Sequence, residues 1–342
     1  MRILLTGSNG YIGKAVLSQL VQKGYSILCI DQQPEGLVPG LEYAQCDITD
    51  YARLSSLVKG CEMVVHMAAI PNPFQRTSDE VFRINASGTF NVFRSAAEAG
   101  IRRVIQASSI NAIGLYYGYR EAWVQYFPVD EQHPSETTDA YSFSKQIVEQ
   151  IGDYFWRREG ISSLALRYPA VVSADPQHPW GFSRWNENRL VLRRLCERLL
   201  ELSPTERLNW LEDARRMFNH LRGQRFLEDR RTYLEMWATD QYMPTEVRVV
   251  MNARQNLWAL LDMRDAVQAV EKGLVADFEG SYPLFINDHY NWSGIDSNLL
   301  IELFYPEVKT IRRPLVGPES LVSIERARSL IGFEPQYSFI KI

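Results

Sequence analysis

Tyr141-Ser142-Phe143-Ser144-Lys145 puts a phenol and an ammonium at positions i and i+4, on one face of a helix. A cation beside a phenol favours the phenolate and is expected to lower the tyrosine pKa from its usual value of about 10. Such a tyrosine can take the proton of an alcohol as hydride leaves the same carbon. Lys145 could also bond the ribose next to a nicotinamide. Ser109 follows Arg103 to Ala107, which reads as a fifth strand. From a strand end it can hold the substrate oxygen and steady its developing charge. Tyr-x-x-x-Lys alone is a weak signal, and its weight comes from the elements that precede it.

Those elements begin at residue 3. Ile3-Leu4-Leu5 reads as a buried strand that runs into Thr6-Gly7-Ser8-Asn9-Gly10-Tyr11-Ile12-Gly13. Ala15, Val16, Leu20 and Val21 then recur at helical spacing through Lys23. A glycine-rich turn between strand and helix offers backbone N–H groups and the positive end of a helix dipole to a pyrophosphate. Side chains at these glycines would block the turn or the approach of the phosphates. The second strand, Ser26 to Ile30, ends at Asp31, placed to bond the adenosine ribose. No Arg or Lys follows in Gln32-Gln33-Pro34-Glu35 to hold a 2′-phosphate, so NAD is expected rather than NADP.

Leu41 to Ile48 reads as a third strand ending at Asp47, where the carboxylate would meet the adenine. Asp47 as a helix N-cap is an equal alternative. Leu54, Leu57 and Val58 mark a short helix. Met63 to Ala69 is a fourth strand that runs out into the small Ala68 and Ala69, and His66 reads as a packed core histidine. Val81 to Ala99 reads as one long helix containing Asn85, Tyr141 to Arg158 as another, and Ser162 to Leu166 as a sixth strand. Alternation of strands and helices predicts an α/β, doubly wound parallel sheet of the Rossmann type. Gly7, Asp31, Ala68 and Ser109 would all stand at C-terminal strand ends, where such sheets bind ligands.

The later chain is different. From Trp185 to Asp240 it is charged and helical in period, which reads as a helical elaboration, with a lid or a dimer element as the sharper idea. Leu257 to Asp262 returns to strand-like composition, Asp265 to Leu274 is helical, and Leu284 to Asn287 reads as a strand. Asp296 to Phe304 and Ile324 to Leu330 read as small helices. The expected organisation is an NAD-binding domain over 1–175, joined by a segment near 255–290. A smaller substrate domain over 176–342 would carry the insertion at 185–245.

With 342 residues, 46% of them hydrophobic, the chain can bury a large core, and a net charge of −4 suggests no nucleic-acid surface. No apolar run reaches the ~20 residues of a membrane span. The start shows a strand and a glycine turn rather than the order of a signal peptide. The four cysteines, Cys29, Cys46, Cys61 and Cys196, lack C-x-x-C spacing. They read as buried thiols in a cytoplasmic protein, with no metal expected.

At this point the chain resembles the extended short-chain dehydrogenase/reductase superfamily, in its NAD-dependent epimerase/dehydratase branch. The residues that carry the resemblance are Thr6 to Gly13, Asp31, Asp47-Ile48, His66-Met67-Ala68-Ala69, Asn85, Ser108-Ser109, Tyr141 with Lys145, Leu166-Arg167-Tyr168-Pro169, and the ending Glu325 to Pro335. The resemblance implies Ser109, Tyr141 and Lys145 as the catalytic set. The family's serine lies five residues before a glycine, which fits Ser109 and Gly114 better than Ser108. It implies a cofactor site of Gly7, Asn9, Gly10, Tyr11, Ile12, Gly13, Asp31, Asp47, Ile48, Met67, Ala68, Ala69, Asn85, Ala107, Tyr141, Lys145 and Tyr168, with Asn85 in a more structural role. Relatives pair through the helices holding Asn85 and Tyr141, which leaves room for a homodimer.

Departures from the pattern narrow the chemistry. Ile110 and Asn111 stand where the family's dehydratases carry an Asp-Glu pair. Trp258 aligns with an Arg that grips the nucleoside diphosphate in nucleotide-sugar epimerases, and Pro169-Ala170-Val171 replaces their Asn. Ala107 to Tyr117 is similar to the uronate dehydrogenases of the branch. The resemblance therefore implies an NAD-dependent oxidoreductase acting at a hydroxyl carbon of a small sugar or sugar-acid-like molecule. Alternatives are a nucleotide-sugar epimerase that retains its NAD, and a non-catalytic nucleotide-sensing regulator.

Overall fold

The structure is a computed structural model. It describes every residue except 174, 176, 177, 179, 180, 226, 227, 341 and 342, and says nothing of the side chains of 183 and 184. Pro176 and Pro179, expected to open the loop before the insertion, lie outside the described residues.

Strand β1 (Arg2–Thr6) is buried over four of its five residues and feeds through the glycine turn into α1 (Tyr11–Gln22). Strands β2 (Ser26–Asp31) and β3 (Glu42–Gln45) follow, then α2 (Tyr51–Leu57) and β4 (Met63–His66). The third strand therefore stops at Gln45, two residues short of Asp47. The Asp47 carboxylate instead accepts the Thr49 N–H and hydroxyl at 2.8 and 2.9 Å, while Asp50 caps α2 through the Arg53 N–H. The turn was visible in the sequence, but the cap falls one acidic residue later.

The long helix expected from Val81 starts earlier and is interrupted. Thr77 and Glu80 form a capping box for α3 (Ser78–Phe82), a π turn covers Arg83–Ser87, and α4 runs over Gly88–Glu98. Asn85 sits in the wide turn. Its Oδ1 accepts the Ile70 N–H at 2.7 Å and its Nδ2 donates to the Ile70 carbonyl and to Ser144 Oγ at 3.1 and 2.9 Å. Helical periodicity carries no signal for such a bulge, because its reason is a partner far away in sequence.

Then come β5 (Arg103–Ser109), the short β6 (Tyr126–Phe127), α5 (Ala140–Glu159), β7 (Ser162–Tyr168) and β8 (Ala170–Val172). Helix α5 is fixed at both ends. Asp139 accepts the Ser142 N–H at 2.8 Å, and Gly160 closes the helix in the left-handed region at φ 67°. Its buried face is Tyr141, Lys145, Val148, Gly152 and Phe155, and a Cβ at Gly152 would stand 2.7 Å from Ser281 Oγ and 2.8 Å from Ser163 Oγ. That face is therefore held against the sheet.

Four helices make the insertion region: α6 (Ser183–Glu201), α7 (Pro204–Gly223), α8 (Arg230–Ala238) and α9 (Thr245–Gln255). They bury their own cluster of Tyr116, Ala214, Phe218, Met236, Val247 and Met251. After them come β9 (Leu260–Asp262), α10 (Met263–Val275), β10 (Ser281–Phe285), α11 (Ser297–Phe304), β11 (Thr310–Ile311) and α12 (Glu325–Ile331). The main sheet has seven strands, all parallel, in the order β10-β7-β5-β4-β1-β2-β3. The segment 263–285 thus contributes a helix and the edge strand to it. One face is covered by α2, α4 and α5, and the other by α1, α10 and α12. Among the described residues no helix is long and apolar enough to cross a membrane.

Leu257 and Trp258 are not strand. Both take positive φ (56° and 49°), and Trp258 turns into the core against Phe304 and Tyr305 with no exposed surface. Burial of an indole between two rings outweighs the backbone cost of the turn.

His66 closes β4 in the core. Thr89 Oγ1 donates to the Asn85 carbonyl at 2.6 Å, so it accepts from His66 Nε2, and His66 Nδ1 accepts the Thr6 hydroxyl at 2.7 Å. The neutral ring is satisfied on both sides. Burial, with the Lys145 charge adding, holds its pKa down at about 3. The unfolded chain takes up this proton first, near pH 6.5. The histidine's contribution is therefore complete above that pH and is eroded as pH falls towards 3. Urea unfolding midpoints should decline across this window, by at most about 1.4 kcal/mol per pH unit for one proton. A His66→Gln variant should show a shallower decline.

Candidate active site

The β1–α1 turn approaches β4 so closely that glycine is required. A Cβ at Gly7, where φ is 69°, would lie 2.5 Å from the Ala68 backbone nitrogen. One at Gly13 would lie 2.0 Å from the Gly7 carbonyl oxygen. Gly10 is the N-cap of α1 and supplies no side chain to its first turn, which leaves that turn to an outside anion. Beside it runs a groove lined by Gly7, Asn9, Gly10, Asp31, Asp47 and Ile48, and by Met67, Ala68 and Ala69 beyond β4. Asp31 accepts the N–H groups of Asn9 and Gln33 at 3.1 and 3.2 Å, which fixes its carboxylate at the groove edge. Gln32, Gln33, Ile70 and Ile84 also line the groove. They were absent from the sequence assignment, although the two glutamines directly follow Asp31.

Other members of the expected cofactor set stand elsewhere. Ile12 packs into the core under α1. Tyr11 stacks on His178 with centroids 5.1 Å apart, and burial, followed by the Asp262 charge, pushes its hydroxyl up to about 12. Two further members of the set make hydrogen bonds within the protein. The Asn85 side chain spends its bonds on Ile70 and Ser144, so its work is to tie the loop after β4 to α5. The Tyr168 hydroxyl donates to the Ala266 carbonyl at 2.9 Å and its ring is buried in the core.

The second cluster lies at the ends of β5 and β7. Lys145 Nζ donates to the Ala107 carbonyl at 2.8 Å. Ser109 faces the Tyr141 phenol and draws its pKa down, and its Oγ accepts the Asn111 N–H at 3.1 Å. Ser108, its neighbour, faces the opposite way and donates to Glu149 at 2.7 Å. The alternation of a strand thus separates the two serines. The structure brings Ala107, Ser109, Tyr141 and Lys145 together.

The expected charge balance is reversed at one point. Burial pushes the Tyr141 phenol up to about 12. Ser109 pulls it down and the Asp139 carboxylate adds to the rise. Helical spacing put a cation one turn away, but the desolvation that decides the phenol comes from residues distant in sequence. Tyr117 stands edge-on to Tyr141 at 5.5 Å, and Ile70 and Val81 pack on it. The insertion covers these loops. Tyr233 stacks on Phe74 at 4.5 Å, and Ser78 and Tyr119 both donate to Glu228. Tyr117 and the insertion's aromatics gave no readable signal in the sequence, because nothing local ties them to Tyr141.

The buried arginines of the insertion are occupied. Arg222 donates to the Leu115 and Tyr116 carbonyls at 2.7 and 2.9 Å, and Arg254 bonds Glu121 and the Phe304 carbonyl. Trp258, which aligns with an epimerase arginine, is core. Among the described residues no three His, Cys, Asp or Glu side chains are grouped to hold a metal.

A parallel sheet with a glycine turn, a strand-end carboxylate and a Ser–Tyr–Lys cluster defines a dinucleotide-binding α/β protein. Residues 3–201 match the NAD dependent epimerase/dehydratase family, and the chain belongs to that family. It is similar to a uronate dehydrogenase of Pseudomonas putida, 29% identical over 180 residues, covering 52% of this chain and 62% of the relative. It is also similar to a putative UDP-glucose 4-epimerase of Methanocaldococcus jannaschii, 31% identical over 186 residues, covering 52% of this chain and 58% of the relative. The matches thus span about three-fifths of those relatives. A solved short-chain dehydrogenase/reductase superfamily protein from Agrobacterium tumefaciens, with bound NAD, shares the fold: TM-score 0.64 and 20% identity, covering 99% of this chain and 93% of that one.

Proposed function

We propose that this chain is an NAD-dependent oxidoreductase acting at a hydroxyl carbon of a sugar or sugar-acid-like small molecule. The observation that carries the reading is the convergence of Ser109, Tyr141 and Lys145 at neighbouring strand ends, next to a groove that admits no side chain at Gly7 or Gly13.

Gly7, Asn9, Gly10 and Asp31 would hold NAD, which supplies the hydride acceptor when bound. The chain's own groups handle the proton. Ser109 Oγ donates to the substrate oxygen and holds it beside Tyr141. Tyr141 Oη accepts the hydroxyl proton as the carbon gives up hydride. A phenol at about 12 is a poor base at neutral pH, so the phenolate must be supported in the closed site. The Lys145 ammonium, drawn down by burial to about 8, is the cation placed to do so. Tyr117 and the covering insertion keep water from these groups.

The burial of Trp258 and the occupation of Arg222 and Arg254 favour an unactivated sugar over a nucleotide sugar. We also propose pairing of two copies through α4 and α5, which leave Phe90, Phe143 and Tyr154 exposed. Light scattering should give the dimer mass, and a monomer at micromolar concentration would refute pairing. The cofactor tests the reading itself. Protein purified, dialysed and acid-denatured should release little NAD while binding added NAD reversibly. Stoichiometric NAD surviving dialysis would instead favour an epimerase.

A further inference from the structure

Behind the Ser–Tyr–Lys cluster lies a second set of charges that the proposed reaction does not use. Glu149 follows Lys145 by one turn of α5, so both side chains leave the same face. Its Oε1 accepts the Ser108 hydroxyl at 2.7 Å and Arg167 Nε at 2.9 Å, and its Oε2 accepts Arg167 Nη2 at 2.8 Å. Ser108 and Arg167 are paired across β5 and β7. One carboxylate therefore ties the helix to both strands, directly beneath the residue whose carbonyl holds Lys145.

Besides His133 and Tyr126, which interact with Arg167, other groups face this pair. His66 on β4 is neutral, since burial holds it near 3. Glu131 accepts the Phe285 N–H at 2.8 Å and is coupled to Arg167, and burial raises its pKa. Tyr141 is a neutral phenol in the resting site. Glu149 is the charge that acts on Lys145, and it offsets the desolvation of an ammonium that is 4% exposed. Without it, Lys145 would face burial with only the Arg167 cation left behind it.

We infer that Glu149 is a positioning residue: its carboxylate, clamped by Ser108 and Arg167, keeps the buried Lys145 ammonium charged and aimed at the end of β5. The inference rests on the proposed role of Lys145. Arg167 serves by holding the carboxylate in one rotamer through two hydrogen bonds, at 2.9 and 2.8 Å.

The test is the protonation of Lys145 itself, read without turnover. Trace acetic anhydride acylates only neutral amines, and mass spectrometry of the peptide carrying Lys145 gives its labelling rate against pH. The wild-type midpoint should lie near 8. In Glu149→Gln it should fall by about one pH unit or more, and Glu149→Asp should restore it. With substrate, the alkaline limb of kcat/KM should move the same way. An unchanged midpoint in a Glu149→Gln protein that has merely lost thermal stability would overturn the inference and leave a structural ion pair. If that variant does not fold, the wild type still decides, since a midpoint below pH 7 would contradict an ammonium held charged. Turnover surviving in Tyr141→Phe would count against the proposed reaction instead, whatever the labelling shows.

Discussion

Tyr141→Phe is expected to lower kcat by about 10²–10⁴-fold while NAD affinity changes by less than about twofold. The variant removes one oxygen. The ring keeps its contacts with Tyr117, Ile70 and Val81, and Lys145 keeps its bond to the Ala107 carbonyl. Only the proton acceptor is gone, together with its interaction with Ser109. The loss should fall on kcat rather than KM, because the phenol acts on the proton in the transition state. NAD titration by fluorescence, run beside steady-state kinetics, separates the two. A variant with full kcat would remove Tyr141 from the mechanism.

Gly13→Ala should have the largest effect on the cofactor site. The new Cβ would stand 2.0 Å from the Gly7 carbonyl oxygen and 2.9 Å from its carbon, both backbone atoms. Neither can swing aside as a side-chain tip could, so α1 must move away from the turn. Overpacking of this kind costs about 1–3 kcal/mol or more, and NAD affinity should fall by more than about tenfold as the first turn of α1 loses its place. Gly223→Ala, at the end of α7, is the internal control, since its Cβ would meet nothing within 4 Å. Calorimetric unfolding and NAD titration of the pair measure both effects. Equal losses in the two variants would show that the close approach at Gly13 is not what shapes the site.

The parts of this molecule that were legible in the sequence are those set by neighbours along the chain. β1 and its glycines, Asp31 at the end of β2, and Tyr141 with Lys145 on one helix face are local patterns, and the structure has them in those elements. What was not legible depends on partners far away. The π turn around Asn85 exists because Asn85 reaches Ile70 and Ser144. Trp258 belongs to an apolar run that suits a strand, yet it turns inward because Phe304 and Tyr305 wait there. The Tyr141 phenol was expected to be lowered by a nearby cation, and burial under Tyr117 outweighs that. Glu149, four residues after Lys145, was open to the same spacing argument that found the tyrosine. Its meaning appears only when Ser108 and Arg167 arrive from two strands.

The central claim is hydride transfer from a hydroxyl carbon to NAD by way of Ser109, Tyr141 and Lys145. Its most direct test is the absorbance of reduced nicotinamide with purified protein and NAD or NADP, over a panel of uronic acids, free aldoses, simple secondary alcohols and nucleotide sugars. The account predicts reduction of NAD in preference to NADP by one class of unactivated sugar. No reduction with any member, together with conversion of a nucleotide sugar to its epimer by protein that holds NAD throughout, would contradict it.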